Sequence, residues 1–404
     1  MNQTRFSKLF YFLLLFVLVA CQAQTTATVP IATSLPATAT PVLPTATPSS
    51  LDLLVGRYGN KFKIDLDLLP DGSFYHEEST WGSYGVYELV QDQISFVEEN
   101  PNNPCYQHPA GVYKWSLNNG ELKLEQVNDD CRQRQGYFGK TFKKMKEQKP
   151  FVTVVRLTTV KDLNFVAADQ FGNFYVTDGL YNFSKYDSTG KLIQTWGMQN
   201  ITDTNTFTTG IAVDPQGNIY IGDWLDAEIQ KYDAKGNFLT SWKVDSGNIG
   251  PVGMGFDAQG NLYVALHRIH DHYVEKYDTQ GNLLGAWAPF GTEPGQILAG
   301  PRSGPEEIAV DADGNNYVQD PENGRVNKYD ATGKFLYSLP VVGSIVVDKQ
   351  GNVYINSGTL WKYDSAGNLI GEWYTPVFGA MALNKDGNII VAGNPISKIL
   401  LPAP

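Results

Sequence analysis

The fold of this chain is decided by a stretch that reads IAVDPQGNIYIGD at positions 211–223 and continues as IQKYDAKGNFLTSW at positions 229–242. Each half contains an Asp-x-x-Gly tetrapeptide, starting at Asp214 and at Asp233. Asp suits the first position of a type I turn, and Gly readily adopts the positive φ that closes it. Because apolar residues alternate around both tetrapeptides, the stretch predicts four short antiparallel strands joined by tight hairpins.

The same arrangement recurs along most of the sequence. Asp-x-x-Gly occurs ten times between Asp169 and Gly367, and the residues from Asn384 to Gly387 nearly repeat it. The tetrapeptides come in pairs about every 40 residues, which is typical of a β-propeller. Six copies of the first strand can be aligned, so we predict an all-β fold with a six-bladed propeller. The copies end at Asp169, Asp214, Asp257, Asp311, Asp348 and Asn384.

The repeated unit resembles the NHL repeat, in the motif Ile-Ala-Val-Asp-x-x-Gly-Asn-Ile-Tyr-Ile-x-Asp followed by Ile-x-Lys-Tyr-Asp-x-x-Gly. The resemblance lies within residues 151–404, with five well-matched repeats and a degenerate last one, and it implies six blades. The last repeat stops after Leu401, near the end of its third strand, whereas residues 151–157 have no partner of their own. We therefore predict that residues 151–157 supply the outer strand of the final blade and close the ring.

Aromatic and acidic side chains recur once per blade. We interpret the repeated tyrosines and tryptophans as core between the blades. Asp178, Asp223 and Asp320 end the second strand of three blades, where an Asp usually holds a turn by accepting backbone N–H groups. Calcium binding at the channel rim is the alternative role of these three residues. The aromatic set comprises Tyr186, Tyr232, Tyr277, Tyr329, Tyr363, Trp196, Trp242, Trp287 and Trp373.

The N-terminal residues resemble an export signal. Arg5 and Lys8 precede an apolar run of 12 residues at 9–20. Such a run is too short to span a bilayer and is typical of a signal peptide. The run ends in LVAC, which resembles a bacterial lipobox and implies cleavage before Cys21 and acylation of that residue. We therefore expect residues 1–20 to be a lipoprotein signal peptide.

Residues 21–50 follow as a lipidated cysteine and a stalk. From residue 24 onward the stretch is rich in Thr, Ala and Pro, a composition that favours extended polyproline II and no packed core. These features predict a bacterial cell-envelope protein, held on the extracytoplasmic side of a membrane by its lipid anchor alone.

Charge restricts the partners of the protein. The formal net charge is −11 at pH 7, and losing Arg5 and Lys8 with the signal peptide would leave −13. Proteins that bind nucleic acid usually present a basic face, so we expect no nucleic-acid partner. We also expect the protein to be a monomer.

Residues 51–147 predict a small antiparallel β domain without a helix of useful length. The segment resembles lipocalin-like domains of exported bacterial proteins, in which Gly-x-Tyr strands and a Trp lie beside a Cys pair. We predict a disulfide between Cys105 and Cys131, because the chain is exported and both lie in this one segment. His76 and His108 are expected at the surface.

The aromatic residues of this domain line either a solid core or a pocket for one apolar ligand, and we favour the core. They are Tyr75, Trp81, Tyr84, Phe96, Tyr113 and Trp115.

Loop lengths indicate which face of the propeller binds a ligand. Both Asp-x-x-Gly hairpins of a blade lie on one face, and their length hardly varies. The connections on the opposite face vary: from the second turn of one repeat to the first turn of the next, the offsets are 27, 24, 33, 18 and 20 residues. The excess lies in residues 198–209 and 288–307. We interpret this loop-elaborated face as a binding surface, with neutral drift in loop length as the alternative.

One histidine cluster lies on the loop-elaborated face. His267, His270 and His272, with Asp271, offer enough imidazole and carboxylate groups for a divalent metal such as zinc or calcium. The alternative is a polar, solvated loop, and we predict no cofactor beyond this possible metal.

Four further residues are candidates for ligand binding near the channel mouth. Arg268 belongs to the histidine-rich loop. Glu306 and Glu307 open the first strand of the fourth blade, and Arg302 precedes them. With Arg302 and the histidines, the two glutamates predict a mixed-charge pocket.

Three functions are compatible with these features. The first is a non-enzymatic binding module for a protein, peptide or glycan, which we favour. The second is a metal-dependent lyase or hydrolase at the channel mouth, and the third is a small-ligand carrier that uses the N-terminal β domain. Gluconolactonase-like propellers hold a metal with Glu, Asn and Asp in set motifs that we cannot place here. Streptogramin-lyase-like propellers have a different repeat, and no catalytic residue is assigned.

Overall fold

The computed structural model describes residues 54–59, 65–69, 72–78, 81–99, 103–144, 152–158, 165–199, 208–244, 250–267, 272–299, 304–393 and 395–401. These residues form a closed eight-stranded barrel followed by six four-stranded antiparallel sheets, so the all-β prediction is confirmed. The predicted signal peptide, Cys21 and the stalk lie outside the described residues. Within the described parts of the chain, no helix combines the length and apolarity needed to cross a membrane.

The first domain is a barrel in which each strand pairs with its sequence neighbours and the first pairs with the last, Tyr58 lying opposite Lys144. A short helix, α1 (Arg132–Phe138), lies between the last two strands. The strands are β1 (Gly56–Gly59), β2 (Asp65–Leu68), β3 (Ser73–Glu78), β4 (Trp81–Val90), β5 (Gln93–Glu98), β6 (Gly111–Asn118), β7 (Glu121–Asn128) and β8 (Thr141–Lys144).

The sequence predicted no helix of useful length in this domain, and this prediction was wrong. Helix α1 is present, and its Tyr137 and Phe138 belong to the barrel core. Its seven residues are too few to show a clear amphipathic period in sequence. Tertiary contacts hold it instead: Arg134 is fully buried and donates two 2.9 Å hydrogen bonds to the carboxylate of Asp129. Asp129 also accepts the backbone N–H of Cys131, and Cys131 forms the predicted disulfide with Cys105.

The barrel interior is filled by its own side chains, as the core interpretation predicted. Phe96 stacks on Phe138 with ring centroids 4.1 Å apart, and Phe74 and Tyr113 meet Phe138 edge-on. Trp115 packs against this core. These aromatic rings pack together in the described part of the barrel interior.

Three side chains of this domain differ from their predicted positions. His76 is buried rather than exposed, because its ring packs 4.2 Å from that of Tyr137, and burial lowers the pKa of its imidazole to about 4. Tyr75 and Tyr84 leave the barrel core and pack beneath Arg156 of the propeller. His108 lies at the surface beside Asp130, as predicted, and the side chain of Trp81 is outside the described residues.

The second domain begins with β9 (Thr153–Thr158) and continues with one blade per repeat. Blade 1 contains β10 (Val166–Ala168), β11 (Phe174–Thr177), β12 (Asn182–Tyr186) and β13 (Leu192–Gly197). Blade 2 contains β14 (Thr208–Val213), β15 (Ile219–Asp223), β16 (Glu228–Tyr232) and β17 (Phe238–Lys243). Blade 3 contains β18 (Pro251–Phe256), β19 (Leu262–Leu266), β20 (Val274–Tyr277) and β21 (Leu283–Trp287).

The remaining three blades complete the ring, and a 3-10 turn (Pro321–Asn323) lies in blade 4. Blade 4 contains β22 (Ile308–Val310), β23 (Asn316–Asp320), β24 (Arg325–Tyr329) and β25 (Phe335–Leu339). Blade 5 contains β26 (Ser344–Val347), β27 (Val353–Asn356), β28 (Thr359–Tyr363) and β29 (Leu369–Tyr374). Blade 6 contains β30 (Ala380–Leu383), β31 (Ile389–Ala392), β32 (Ile396–Leu400) and β9.

Ring closure follows the sequence prediction. β9 pairs with β32, so that Thr153 lies opposite Leu400 and Val154 opposite Ile399. The first strand of each blade contacts the first strands of its neighbours, and β30 contacts β10. The N-terminal strand therefore completes the last blade and covers its open edge.

The Asp-x-x-Gly hairpins have the predicted turn geometry. In the turn at Asp233, Oδ1 accepts the N–H groups of Lys235 and Asn237, and Oδ2 accepts the amide of Asn237. The Gly of every such turn has φ between +79° and +96°. Because the strands are antiparallel, the two hairpins of each blade lie on one face, and the variable connections lie on the other.

The repeated aromatic residues pack between blades, as predicted. Tyr232 and Tyr277 are buried, and the indole of Trp242 packs against the turn glycine Gly281 of the next blade. Trp287 packs in the same way on Gly333. The sequence period thus reflects one contact repeated around the ring.

Candidate functional site

The central channel is lined by one residue of each blade, which lies four residues before the first turn Asp or Asn, in the first strand or directly before it. In blades 4 and 5 these residues are Glu307 and Ser344, whereas blade 1 contributes Phe165. The other three blades contribute Gly210, Gly253 and Ala380, which have little or no side chain. The ring therefore has one acidic, one hydroxyl and one aromatic member, and its remaining members are small.

The glycines of this ring allow the inner strands to approach closely. A Cβ added to Gly253 would lie 2.6 Å from the backbone nitrogen of Ile308, so no larger residue fits there. The close approach brings the inner strands of blades 3 and 4 together beside Glu307.

The channel opens into a cavity of about 450 Å³ on the loop-elaborated face. This volume lies within the range of small-molecule sites. All six blades contribute to the described lining, which consists of Phe165, Trp224, Val252, His267, Glu306, Glu307, Ser344, Gly379 and Ala380.

Glu307 is held in the wall of this cavity by the neighbouring blade. Its Oε2 accepts the backbone N–H of Ile345 at 2.7 Å, and its carboxyl is also hydrogen-bonded to the side chain of Ser344. Burial raises the pKa of Glu307 to about 7, these hydrogen bonds lower it less, and the charge of exposed Glu306 raises it further. A carboxyl group with this pKa can exchange a proton with a ligand near neutral pH.

Trp224 and His267 occupy corresponding positions, each directly after the second strand of its blade. Their rings lie 5.1 Å apart and are tilted by 59°. His267 is buried, and both residues line the cavity. The loops of blades 2 and 3 thus supply an aromatic wall beside the acidic residues of blade 4.

The predicted metal and ligand residues are only partly brought together. Glu306, Glu307 and His267 line one cavity. His272 is not part of this lining. Its Nε2 lies 3.0 Å from an oxygen of Glu275, a fully buried carboxylate of blade 3. Arg268, His270, Asp271 and Arg302 lie outside the described residues. Among the described residues, no group of three or more His, Cys, Asp or Glu side chains has the arrangement needed to hold a metal ion.

The terminal Asp of the second strand holds local structure, as predicted, but in two different ways. Asp178 accepts the N–H groups of Leu180 and Asn182 in its own turn. Asp320 instead accepts the N–H of Leu298 at 3.0 Å and the guanidinium of Arg325 at 2.8 Å. In blade 4 this Asp therefore anchors the long connection from blade 3.

The long connection at 288–307 is well anchored in its described first part. Arg325 donates to the carbonyl oxygens of Glu293 and Gln296, and Tyr329 donates to that of Gly295. Ile297 is fully buried in the core between blades 3 and 4. The segment 288–299 is thus part of the fold and presents its remaining exposed side chains in a fixed place.

Exposed apolar side chains lie on the connections of the same face as the cavity. Phe290 is 45% exposed, Leu225 is 46% exposed and Phe378 is 53% exposed. Leu180 and Tyr181 are exposed on the corresponding connection of blade 1. The other predicted elaboration, residues 198–209, is described only at its ends, where Met198 is buried and Gln199 is hydrogen-bonded to Gln230.

Sequence reasoning missed Phe165, Trp224 and Ser344 as members of the site. An alignment of the six repeats on their turns places Phe165 and Ser344 in the register of Glu307, which is a signal that was available. Trp224 and His267 also share a register position. Their distance from Glu307 along the chain conceals their convergence at one cavity.

Comparison with known proteins gives a partial family match. Residues 131–290 match the family model described as SMP-30/Gluconolactonase/LRE-like region. This match includes Trp224 and His267 but ends before Glu306 and Glu307.

Solved structures of low identity resemble the chain. A gluconolactonase from Xanthomonas campestris is 17% identical with a TM-score of 0.48, covering 63% of this chain and 95% of that one. A calcium-binding protein, regucalcin, from Agrobacterium tumefaciens strain C58 is 14% identical with a TM-score of 0.45, covering 63% and 95%. Virginiamycin B lyase from Staphylococcus aureus is 12% identical with a TM-score of 0.43, covering 62% and 89%.

Proposed function

We propose that this protein binds a protein, peptide or glycan through the loop-elaborated face of its propeller, with the channel-mouth cavity as the deepest part of the site. One observation carries the proposal: the cavity with Glu307 in its wall opens on the same face as the exposed apolar side chains. Exposed apolar groups around a concave polar centre are typical of interaction sites. The anchored segment 288–299 supports binding, because a fixed loop loses little entropy on association.

Partner capture tests this proposal with substitutions at exposed positions. Deleting residues 288–307 is unsuitable, since Ile297 belongs to the core. We expect the double variant Phe290→Ser and Leu225→Ser to lose at least tenfold of the material captured from the native envelope by the immobilised protein. The control is Leu239→Ser, a similarly exposed residue on an outer strand. Equal capture by all three proteins would reject the assigned face.

Display outside the cell is the second part of the proposal. The lipobox resemblance at Cys21 and the Thr- and Pro-rich residues after it support a lipid-anchored protein with its propeller held away from the membrane. Replacing Cys21 by Ala should move the protein from the membrane fraction to the soluble fraction of the producing bacterium. Retention in the membrane fraction would contradict lipid anchoring at this residue.

An enzyme of the lyase or hydrolase class is the second candidate, and the family match over residues 131–290 favours it specifically. Glu307 has the pKa of a general acid or base, and Glu306 and His267 share its cavity. A screen with lactone and ester substrates, with and without added divalent metal, tests this candidate. Turnover that Glu307→Gln abolishes would support an enzyme, and no turnover under any condition would count against it.

A carrier function for the barrel receives no support from the packed side chains of its described interior. Native mass spectrometry of the intact protein tests it, and a small molecule that stays bound after purification would restore this alternative.

A further inference from the structure

Of the four polar side chains in the described lining of the channel-mouth cavity, two are carboxyl groups, one is the Ser344 hydroxyl and one is the His267 imidazole. Glu306 and Glu307 contribute two carboxyl groups, and Ser344 is already hydrogen-bonded to Glu307. None of the lining side chains within the described ranges is a Lys or an Arg. A half-buried carboxylate with no Lys or Arg in its described surroundings is costly, so a ligand that brings a positive charge gains the most from this cavity.

The apolar part of the lining suits the same class of ligand. Phe165 and Trp224 present aromatic rings to the cavity that contains both glutamates. Aromatic faces attract cations, Trp most strongly, and quaternary ammonium groups are commonly bound by such rings. The overall charge of −11 adds a long-range attraction for cations.

We propose that the channel mouth binds an organic cation, with Glu307 as its counter-ion and Phe165 and Trp224 as the aromatic walls around its ammonium group. This inference rests on the proposed function, since it names the chemistry of a ligand for the loop-elaborated face. The cation belongs either to a free small molecule or to the end of a longer ligand that also contacts the exposed apolar side chains. A cavity of about 450 Å³ accommodates an ammonium head group with its substituents.

Calorimetric titration of the intact protein with matched pairs of probes tests the proposal. Choline is compared with 3,3-dimethylbutan-1-ol, its uncharged isostere, and n-butylammonium with n-butanol, at pH 8 and in the presence of EDTA. We expect at least one cation to bind about tenfold more tightly than its neutral partner, a difference of about 1.4 kcal/mol. A preference within the first pair indicates a quaternary ammonium ligand, and a preference within the second pair indicates a primary ammonium ligand.

Two variants assign the binding to this cavity. Glu307→Gln should weaken the binding of the preferred cation at least tenfold. The weak binding of the uncharged probe of the same pair should stay unchanged. Asp313→Asn removes one negative charge from an exposed turn on the opposite face of the same blade, and should change the affinity less than twofold.

Three outcomes would overturn the proposal: neutral probes that bind as tightly as the cations, cation binding that survives Glu307→Gln, or no binding by any probe. Partner capture distinguishes this failure from a failure of the proposed function. If capture still depends on Phe290 and Leu225 while the cations fail to bind, the face is a binding site for a different ligand class.

Discussion

Glu307 is the residue at which the repeat of this propeller is interrupted. Its equivalents in the other blades are Phe, Gly, Gly, Ser and Ala. The side chain lies directly before the first strand of blade 4, and blade 5 supplies the hydrogen bonds from Ile345 and Ser344. Burial removes water from the carboxyl group and raises its pKa, and the charge of Glu306 raises it further.

The raised pKa of Glu307 predicts a dependence of stability on pH. The folded pKa of about 7 exceeds the ordinary value of 4.5, so the folded state binds the proton more tightly. The contribution of this tighter proton binding to the free energy of unfolding is fully present below about pH 4.5, and it is lost as the pH rises through 7. Relative to Glu307→Gln, the native protein should lose about 1–3 kcal/mol of unfolding free energy between pH 5 and pH 8.

Denaturant unfolding of both proteins at the two pH values measures this difference. Glu306→Gln, which removes a charge from the exposed neighbouring side chain, serves as control and should retain most of the pH dependence. Parallel stability curves for the native protein and Glu307→Gln would show that the carboxyl group titrates as it does in the unfolded chain.

The turn Asp shows how the repeat tolerates change at the scale of one residue. In blade 6 the position is Asn384, whose Oδ1 still accepts the N–H groups of Asp386 and Asn388. The side-chain oxygen is therefore what the turn requires, and the negative charge is secondary. This explains why the degenerate last repeat keeps the hairpin geometry of the others.

At the scale of strands and turns, the blades are joined by a contact between an outer-strand tryptophan and the turn glycine of the next blade. Trp196 packs on Gly236 in this way, as Trp242 does on Gly281. Blade 4 carries Tyr337 instead, which packs on Gly367. The glycine serves two purposes, since it closes the hairpin at positive φ and leaves room for the indole.

Lysine side chains form a second junction between the blades. Lys231 lies 5.2 Å from the ring centroid of Tyr220 in its own blade and donates to the carbonyl oxygen of Thr279 in the next blade. Lys328 repeats the arrangement with Tyr317 and Ser365. The Lys of the Ile-x-Lys-Tyr-Asp motif thus has a structural role that the sequence pattern alone did not assign.

Two glycine substitutions distinguish the loss of stability caused by a side chain at positive φ from the loss caused by overlap with an indole ring. Gly387→Ala places a Cβ in open space at φ +80° and should cost about 1 kcal/mol of unfolding free energy. Gly236→Ala has a similar φ of +81°, but its Cβ would overlap the indole of Trp196, so we expect about 2–4 kcal/mol. Chemical denaturation measures both, and equal losses would contradict the proposed junction between blades.

On the scale of the whole molecule, the strand that closes the ring also contacts the barrel. Arg156 of β9 is bonded to Glu99, donates to the carbonyl oxygen of Gly85 at 2.8 Å and packs on the rings of Tyr75 and Tyr84. A second contact is the hydrogen bond from Tyr374 of blade 5 to buried Asp67. The two domains are therefore coupled at blades 5 and 6.

Arg156→Ala should weaken this coupling, because it removes the ion pair, the hydrogen bond and both ring contacts at once. We expect a loss of about 1–3 kcal/mol and a wider separation of barrel and propeller unfolding in differential scanning calorimetry. Lys143→Ala, which breaks an exposed ion pair with Glu121, should leave the profile nearly unchanged. A profile identical to that of the native protein would show that Arg156 does not link the domains.

The sequence by itself determined the number of blades, the turn geometry, the closing strand and the disulfide. The first three depend on short-range rules: Asp and Gly at fixed spacing, alternation of apolar residues, and the count of strands in the last repeat. The disulfide prediction depended on two Cys in one segment of a chain expected to be exported. The same rules missed α1, because seven residues carry too little periodicity. They also placed His76 at the surface, since nothing local shows that Tyr137 covers it.

Only the tertiary structure decided which residues meet at the channel mouth. Phe165, Trp224, His267 and Glu307 come from four blades, and the ring brings them around one cavity. The burial that raises the pKa of Glu307 exists only after the ring closes. The repeat could therefore predict which face carries the variable connections, whereas the chemistry of the site depends on bringing together residues 165, 224, 267 and 307, which lie far apart in sequence.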